Sequence, residues 1–272
     1  MGIWGIVKKK VVIVIIVFLN FLQNCIASEV QIPRLELSSE ISQISYKEPG
    51  VMKQSGNMSG LSVAYTYFDD IVIRFETRLT SGQVDYSSIN TGSMESIEDI
   101  LFEFRAITGF NISPDEECII LPYFGYGYRY LEDDSQGRVT STGHLGYKRE
   151  ANYYYSPIGL CIIKDKGNGF VLQANLEYDL FLQGIQKSYL SDAIPSRSDL
   201  ENKQKNGYGY RASLKIKKQQ KCFDISIEPY MIYWNIGQSE SADISDSGII
   251  QGFGYEPKNY STEYGLRVAF NF

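Results

Sequence analysis

The last twelve residues of the chain are the segment that most restricts its fold. The residues between its apolar positions are small or polar and include Glu263 and Arg267. Side chains of a β-strand alternate between its two faces, so this segment would be apolar on one face and charged on the other. Such a strand suits a wall between lipid and a polar interior, and the alternative is an edge strand of a soluble β-protein. Its apolar positions are Tyr264, Leu266, Val268, Phe270 and Phe272.

The N-terminal residues have the three parts of a secretory signal peptide. Three lysines at 8–10 precede an apolar stretch at 11–22, and Ala27 precedes the expected cleavage site. The apolar stretch is shorter than the roughly 18 to 20 residues of a membrane-spanning helix, which favours cleavage over an uncleaved anchor. A lipoprotein signal at Cys25 is a weaker alternative, because Asn24 stands where a small residue is needed.

We therefore predict a signal peptide over residues 1–28 and a mature domain over residues 29–272. Cleavage would remove three lysines and no acidic residue, so the net charge of −6 would become about −9. An acidic mature chain argues against binding to nucleic acid, which requires a basic face. The 21 Tyr and 14 Phe are typical of the aromatic girdles of membrane barrels, and a lectin-like sandwich could also contain them.

Alternation of apolar and polar residues recurs along the mature chain. It is clearest in residues 169–184, where seven apolar positions alternate with a mostly polar face. The pattern predicts ten strands: 35–46, 57–68, 71–86, 99–110, 118–131, 145–163, 169–184, 207–217, 222–236 and 260–272. In 145–163 the apolar residues do not keep to one face of the predicted strand, and we therefore predict a bulge near Ser156.

The predicted connections alternate in length. Those at 69–70, 111–117, 164–168 and 218–221 are short, and those at 87–98, 132–144, 185–206 and 237–259 are long. This asymmetry and the even number of strands predict an all-β, ten-stranded, antiparallel, up-and-down transmembrane β-barrel. The last strand must pair with 35–46, because an open sheet edge cannot remain in lipid. If 35–46 forms no strand, the fallback is a barrel of eight strands.

Charged residues occupy the face opposite the apolar one. A narrow barrel is filled by its inward side chains, so these charges would form a network in the lumen. The network either provides a path for ions or solutes or forms a structural plug of salt bridges. Its predicted members are Arg74, Glu76, Arg78, Glu103, Arg105, Glu177, Asp179, Arg211, Lys215, Glu228, Glu263 and Arg267.

Three stretches resemble motifs of bacterial outer-membrane β-barrel proteins: 48–52, 122–131 and 146–150. The resemblance covers essentially all of the mature chain and is to a family without an assigned activity. It implies a location in the bacterial outer membrane, contact with membrane lipid and lipopolysaccharide, and insertion by the barrel assembly machinery. Residues Tyr264, Phe270 and Phe272 resemble the C-terminal assembly signal of such barrels. We expect a monomer without a cofactor.

The number of strands and the length also resemble the omptin outer-membrane proteases. That resemblance implies an Asp–His pair at the external rim, but residues 185–206 contain no histidine. The histidine of the chain, His144, could form a different acid–base site with Asp133 and Asp134, although a loop histidine is more often simply solvated. We therefore assign no catalytic residue and keep a rim hydrolase using His144 as a minor hypothesis.

Two further features leave alternatives open. The acidic run 132–134 could bind a divalent cation, but a solvated acidic loop explains it equally, and we predict no metal site. Cys118 and Cys161 lie near the same end of neighbouring predicted strands and would form either a cross-strand disulfide or, together with Cys222, free thiols.

The sequence supports three hypotheses of function. The first is a structural or surface-interaction protein whose long external loops contact lipopolysaccharide, a host or another cell. The second is a narrow channel for ions or small solutes, and the third is the rim hydrolase. Fold alone does not decide among them.

Overall fold

The chain was analysed as a computed structural model, which describes residues 34–115, 118–220 and 222–272. The predicted signal peptide, residues 1–28, lies outside the described residues. No helix in the described part of the chain is long and apolar enough to cross a membrane, a finding that does not concern β-barrels. The strands are β1 (Arg34–Glu48), β2 (Met52–Tyr67), β3 (Ile71–Ser88), β4 (Gly92–Phe110), β5 (Ile112–Asp115), β6 (Cys118–Asp134), β7 (Lys148–Asp165), β8 (Phe170–Ser188), β9 (Leu200–Gln204), β10 (Gly207–Lys218), β11 (Asp224–Ile236), β12 (Ala242–Asp246), β13 (Ile249–Gly254) and β14 (Asn259–Asn271).

Ten of these strands close into a ring. The order is β1-β2-β3-β4-β6-β7-β8-β10-β11-β14, every neighbouring pair is antiparallel, and β14 pairs with β1. The backbones of Leu35 and Phe272 exchange hydrogen bonds of 3.0 and 2.8 Å at the seam. The predicted ten-stranded transmembrane β-barrel is therefore confirmed, and the eight-stranded fallback does not apply. The pairing leaves no open edge at the seam, as a wall in lipid requires.

The two ends of the ring differ. One end, called here the turn end, carries the turns after β2, β4, β7 and β10 together with the C-terminus. The other, called the loop end, carries the turns after β1 and β3 and the connections 135–147, 189–206 and 237–258. Within these connections, β9 extends the sheet beside β8, and β12 pairs with β13 as a separate hairpin.

The lipid-facing band covers only part of each long strand. On β3 the outward residues from Ile71 to Leu79 are mostly apolar, a length of nine residues that suits a membrane strand. Beyond Leu79 the outward positions become polar, while Val84 on the inner face is buried. The barrel wall therefore continues past the apolar band at the loop end.

This continuation corrects one predicted loop. Residues 87–98 are not a long polar loop, because β3 runs to Ser88 and β4 begins at Gly92. Outside the band the apolar residues lie on the inner face of the strands. The alternation of outward apolar and inward polar residues, from which the strands were predicted, is therefore lost here. A buried cluster fills the inner face here: Ile44, Met58, Val84, Met94, Ile97 and Leu101.

The predicted bulge also differs in place. Tyr153, Tyr155 and Ile158 lie in one strand of constant parity, with the tyrosines inward and Ile158 outward. The register shift lies in the pairing of β7 with β8, where Tyr154 pairs with Gln183 and Tyr155 with Phe181. The extra residue therefore belongs to β8. The sequence of β7 suggested a bulge because its inward positions carry tyrosines, which resemble the apolar residues of the outward face.

Aromatic rings mark both borders of the band. Near the turn end, Phe223 lies 5.7 Å from Phe270 and 6.1 Å from Phe272 between ring centroids. Near the loop end, Tyr208 lies 5.4 Å from Tyr210 and 6.4 Å from Tyr233. Such girdles are typical of membrane β-barrels, because amphipathic rings favour the interface.

Candidate functional site: the lumen and the loop end

The charged residues predicted for the lumen are brought together there. Each of the twelve makes at least one ion pair, and Glu36 and Glu40 of β1 join them. They point inward because they occupy alternate positions opposite the lipid face. The result is a set of linked ion pairs that crosses the barrel.

Arg78 is the centre of one part of this network. Its guanidinium pairs with Glu40, donates to Glu263 at 3.1 Å and donates to the hydroxyl of Tyr230 at 3.1 Å. Arg267 also binds Glu40, at 2.9 Å. Together with Arg78 these residues come from four strands, so the group ties one side of the barrel together across the lumen.

Arg211 is the centre of the other part. It contacts Glu103 at 2.9 Å, Asp179 at 2.7 Å and Glu177 at 3.2 Å. The hydroxyl of Tyr155 donates to Glu103 at 2.8 Å. A buried arginine with three carboxylates is stabilised only while every partner stays in place, since an unpaired charge in the lumen would be costly.

Aromatic side chains close the lumen above these ion pairs. The rings of Tyr155 and Trp234 meet edge to face at 5.0 Å, and Tyr153 packs on Phe181 at 5.6 Å. The guanidinium of Arg211 lies 5.8 Å from the Trp234 ring. Tyr155 is 0% and Trp234 1% exposed, so both rings are buried in this layer. We call the Arg78 and Arg211 groups and these rings the plug.

Glycines make room for the lumen tyrosines. A Cβ at Gly127 would lie 2.2 Å from Tyr155, and one at Gly159 would lie 2.2 Å from Tyr123. These tyrosines were not among the residues predicted for the lumen, although their alternation with outward residues was the available signal. They supply hydroxyl groups to the network, as when Tyr123 donates to Glu177 at 2.7 Å.

Below the plug, the lumen holds a cavity of ≈ 360 Å³ that reaches the turn end. Its lining includes Phe68, Gln219 and Asn271 near the turns and Arg211 and Tyr230 at the plug. We call it the turn-end cavity. The buried side chains of the plug form its upper boundary.

A second polar cluster lies above the lipid band, inside the loop end. Glu256, from the connection 237–258, accepts a hydrogen bond of 2.7 Å from the hydroxyl of Tyr46. Arg149 contacts Asp133 at 2.8 Å and Glu48 at 3.4 Å. Burial, and secondly the neighbouring Glu48, raise the pKa of the Glu256 carboxyl to about 7. Burial likewise raises the pKa of Tyr46, and Glu256 adds to that shift.

The predicted rim site is not assembled. Nδ1 of the exposed His144 lies 3.0 Å from the hydroxyl of Thr142, and its backbone bonds to Thr140. Asp133 points into the lumen toward Arg149, whereas Asp134 accepts a bond from the backbone of Gln136 at 3.0 Å. The carboxylates proposed to act with His144 are therefore engaged elsewhere.

The acidic run 132–134 does not converge on one point either. Alternation sends Asp133 inward, while Glu132 accepts from Tyr130 on the opposite face. Among the described residues, no group of three or more His, Cys, Asp or Glu side chains is arranged to hold a metal ion.

The disulfide alternative for Cys118 and Cys161 is corrected by the register. Cys118 pairs with Lys164, and Cys161 pairs with Leu121, so the two cysteines are three positions apart along the sheet. Both are free thiols, as is Cys222. The prediction placed the centre of the hairpin too early in the chain, and this error shifted the expected register.

The loop end exposes apolar side chains on the β12–β13 hairpin. Ile249 is 67% and Phe253 72% exposed, and Ile250 and Tyr255 are exposed beside them. Within the described residues β13 pairs with β12 alone, whereas β12 also bridges to Arg197. The outer edge of β13 is therefore an unpaired strand edge with apolar side chains.

No family model matches the chain, and no curated protein matches it in sequence. Among solved structures, the outer membrane protease OmpT from Escherichia coli is similar, with a TM-score of 0.57 at 12% identity over 91% of this chain and 99% of that one. The translocator domain of autotransporter NalP from Neisseria meningitidis has a TM-score of 0.42 at 11% identity over 91% and 92%. Ail, the attachment invasion locus protein of Yersinia pestis, has a TM-score of 0.34 at 12% identity over 88% and 99%. The likeness to OmpT shows the fold of an outer-membrane β-barrel and assigns no activity.

Proposed function

We propose that this chain is an integral protein of the bacterial outer membrane whose loop end binds a protein partner outside the cell. In this proposal the signal peptide is cleaved, the barrel assembly machinery inserts the chain as a monomer, and the turn end faces the periplasm. Membrane lipid and lipopolysaccharide surround the apolar band. The barrel serves as a closed support for the external surface.

The free, apolar edge of β13 is the observation that carries the proposal. Exposed edge strands are templates for pairing with another extended segment, and proteins usually protect them with charge, proline or a covering element. Ile249, Ile250 and Phe253 expose apolar side chains along this edge instead. Addition of a strand would bury these side chains and satisfy the open backbone groups.

The charges near the hairpin indicate the chemistry of the partner. Asp243 and Asp246 lie on β12, whereas Glu240, which precedes it, is already paired with Lys205. An anionic surface disfavours lipopolysaccharide phosphates as the ligand of this edge and favours a segment in which apolar and basic residues alternate. We therefore assign the edge to an extended protein segment.

Peptide binding to the refolded full chain tests this assignment. The probe is a fluorescein-labelled peptide of about ten residues in which valine and lysine alternate, a pattern that fits addition to a strand edge. We expect saturable binding, weakened at least about tenfold by Phe253→Asp because an interface anchor is lost. The matched control is Ile89→Asp, which changes another exposed apolar residue at a different turn.

Two outcomes would contradict the proposal. One is the absence of saturable binding to the wild-type protein. The other is equal weakening by Phe253→Asp and Ile89→Asp, which would indicate adsorption to any apolar residue at the loop end.

A further inference from the structure

The turn-end cavity has two chemically different walls. One wall presents six apolar side chains on adjacent strands from β3 to β8, although Glu103, Arg105 and Asp165 of these strands also line the cavity. The other wall presents charged side chains on β1, β3, β10, β11 and β14. The interior of a membrane β-barrel is usually polar throughout, so an apolar wall inside the lumen is unusual. The apolar wall consists of Val72, Ile107, Ile119, Leu121, Ile163 and Val171.

The charged wall contains one cation that faces the cavity more openly than the others. The Arg74 side chain is 26% exposed, compared with 7% for Lys215 and 11% for Arg267. It contacts Glu36 at 3.4 Å and Glu76 at 3.3 Å, and it donates to the hydroxyl of Thr66 at 2.9 Å. Both carboxylate distances exceed the usual 2.7 to 2.9 Å of strong charge-assisted bonds, so Arg74 keeps capacity for a further anionic partner.

The size and shape of the cavity restrict its ligand. A volume of ≈ 360 Å³ lies at the lower end of the range for small-molecule pockets, about 300 to 1,000 Å³. The plug closes its upper side, and the mouth opens at the turn end. A ligand must therefore enter from that end, place its apolar part along the apolar wall and keep its polar part near Arg74.

We propose that the turn-end cavity binds a single-chain anionic amphiphile of the fatty-acid class. The hydrocarbon chain lies against Val72, Ile107 and Leu121, and the carboxylate pairs with Arg74. Desolvation of the apolar wall drives binding, and the arginine selects the anion. This site is independent of the proposed partner edge at the other end of the barrel, so either can fail without the other.

Cys161 provides a reporter inside the cavity. It lines the pocket, and it is 4% exposed. Replacement of Cys118 and Cys222 by serine leaves Cys161 as the remaining thiol among the described residues. A bound chain would cover it and slow its alkylation.

The experiment uses the full chain with these two serine substitutions, reconstituted without detergent in phosphatidylcholine vesicles. The rate of Cys161 alkylation by N-ethylmaleimide is measured against increasing decanoate, with decanol and decylammonium as matched probes. We expect saturable protection by decanoate and an apparent affinity for decanol and decylammonium about tenfold weaker, the size of one lost charge-assisted bond. Arg74→Gln should weaken the apparent affinity for decanoate by a similar factor, whereas Arg138→Gln at the loop end should leave that affinity unchanged.

The comparison of the three probes on one protein needs no further variant, so it remains decisive if Arg74→Gln does not fold. Absence of protection by decanoate would overturn the site. Equal protection by decanoate and decanol would overturn the role of Arg74. Protection that does not saturate and rises in proportion to the partitioning of the probe into empty vesicles would also overturn the site.

Discussion

At the scale of single residues, the lumen depends on large side chains that lie against glycines of the next strand. Tyr155 occupies the space above Gly127, and Tyr230 occupies that above Gly265. The hydroxyl groups of both tyrosines then reach buried charges, Glu103 at 2.8 Å and Arg78 at 3.1 Å. Small and large residues are therefore paired across strands, which gives the plug its close packing.

We expect Gly127→Ala to destabilise the protein by about 1 to 3 kcal/mol, because the new methyl group overlaps the Tyr155 ring. Its Cβ would lie 2.2 Å from that ring. The measurement is urea unfolding of the refolded barrel. Gly252→Ala is the control, because no heavy atom lies within 4 Å of its added Cβ. Equal stability of the two variants would show that Tyr155 moves freely.

At the scale of elements, the connection 237–258 is held to the barrel by polar contacts. Glu256 bonds to Tyr46 at 2.7 Å, and the backbone of Ser239 donates to Glu256 at 3.0 Å. The connection also bonds to β9, where Asn202 donates to the backbone of Gly254 at 3.1 Å. These contacts place the β12–β13 hairpin, so their strength affects the edge proposed to bind a partner.

Attachment of this connection should weaken as the pH rises. The pKa of Glu256 is raised from 4.5 to about 7, so folding favours the protonated carboxyl. Its contribution to stability is complete below about pH 4.5 and is lost as the pH rises through about 7. We expect faster cleavage by chymotrypsin near Phe253 and Tyr255 at about pH 8.5 than at about pH 6, after correction for the pH dependence of the protease.

Glu256→Gln should remove this dependence, since the amide oxygen still accepts from Tyr46 and cannot ionise. The control is Glu240→Gln. Glu240 lies in the same connection, but it is exposed, and its hydrogen bond with Lys205 lowers its pKa. A pH dependence that persists in Glu256→Gln would assign the effect to another group.

At the scale of the whole molecule, buried ion pairs and rings fill the middle of the barrel, and its two ends differ. The plug links strands far apart in the chain, as Arg78 and Glu263 illustrate. The turn end contains a cavity, and the loop end carries the hairpin with the free edge. This arrangement motivates the separate roles proposed for the two ends.

Planar-bilayer recording tests whether the plug prevents ions from passing through the lumen. We expect no discrete current steps from the wild-type protein at about 100 mV, because driving an ion through paired charges would require breaking them. The combined change Tyr155→Gly, Tyr230→Gly and Trp234→Gly removes three rings of the plug and should produce current steps. Regular steps from the wild-type protein would contradict the plug and favour the channel hypothesis.

Features that depend on local periodicity could be predicted from the amino-acid sequence. Alternation with a period of two identified ten strands, the apolar face and the inward charges such as Arg78 and Arg211, because side-chain direction in a strand follows from position alone. It failed where the apolar face turned inward, at 87–98, and where an inward tyrosine, Tyr155, resembled an outward residue. Those errors arise because periodicity does not state which face meets lipid.

The contacts between residues of different strands could be learned from the closed barrel alone. The ion pair of Arg78 with Glu263, the bulge in β8 and the separation of Cys118 from Cys161 depend on the register of the closed ring. Register is set jointly by all strand pairs, and a shift of one residue reverses the face of every side chain in a strand. The turn-end cavity likewise exists only between walls that the closed ring brings to face each other, so no local segment of the chain encodes it.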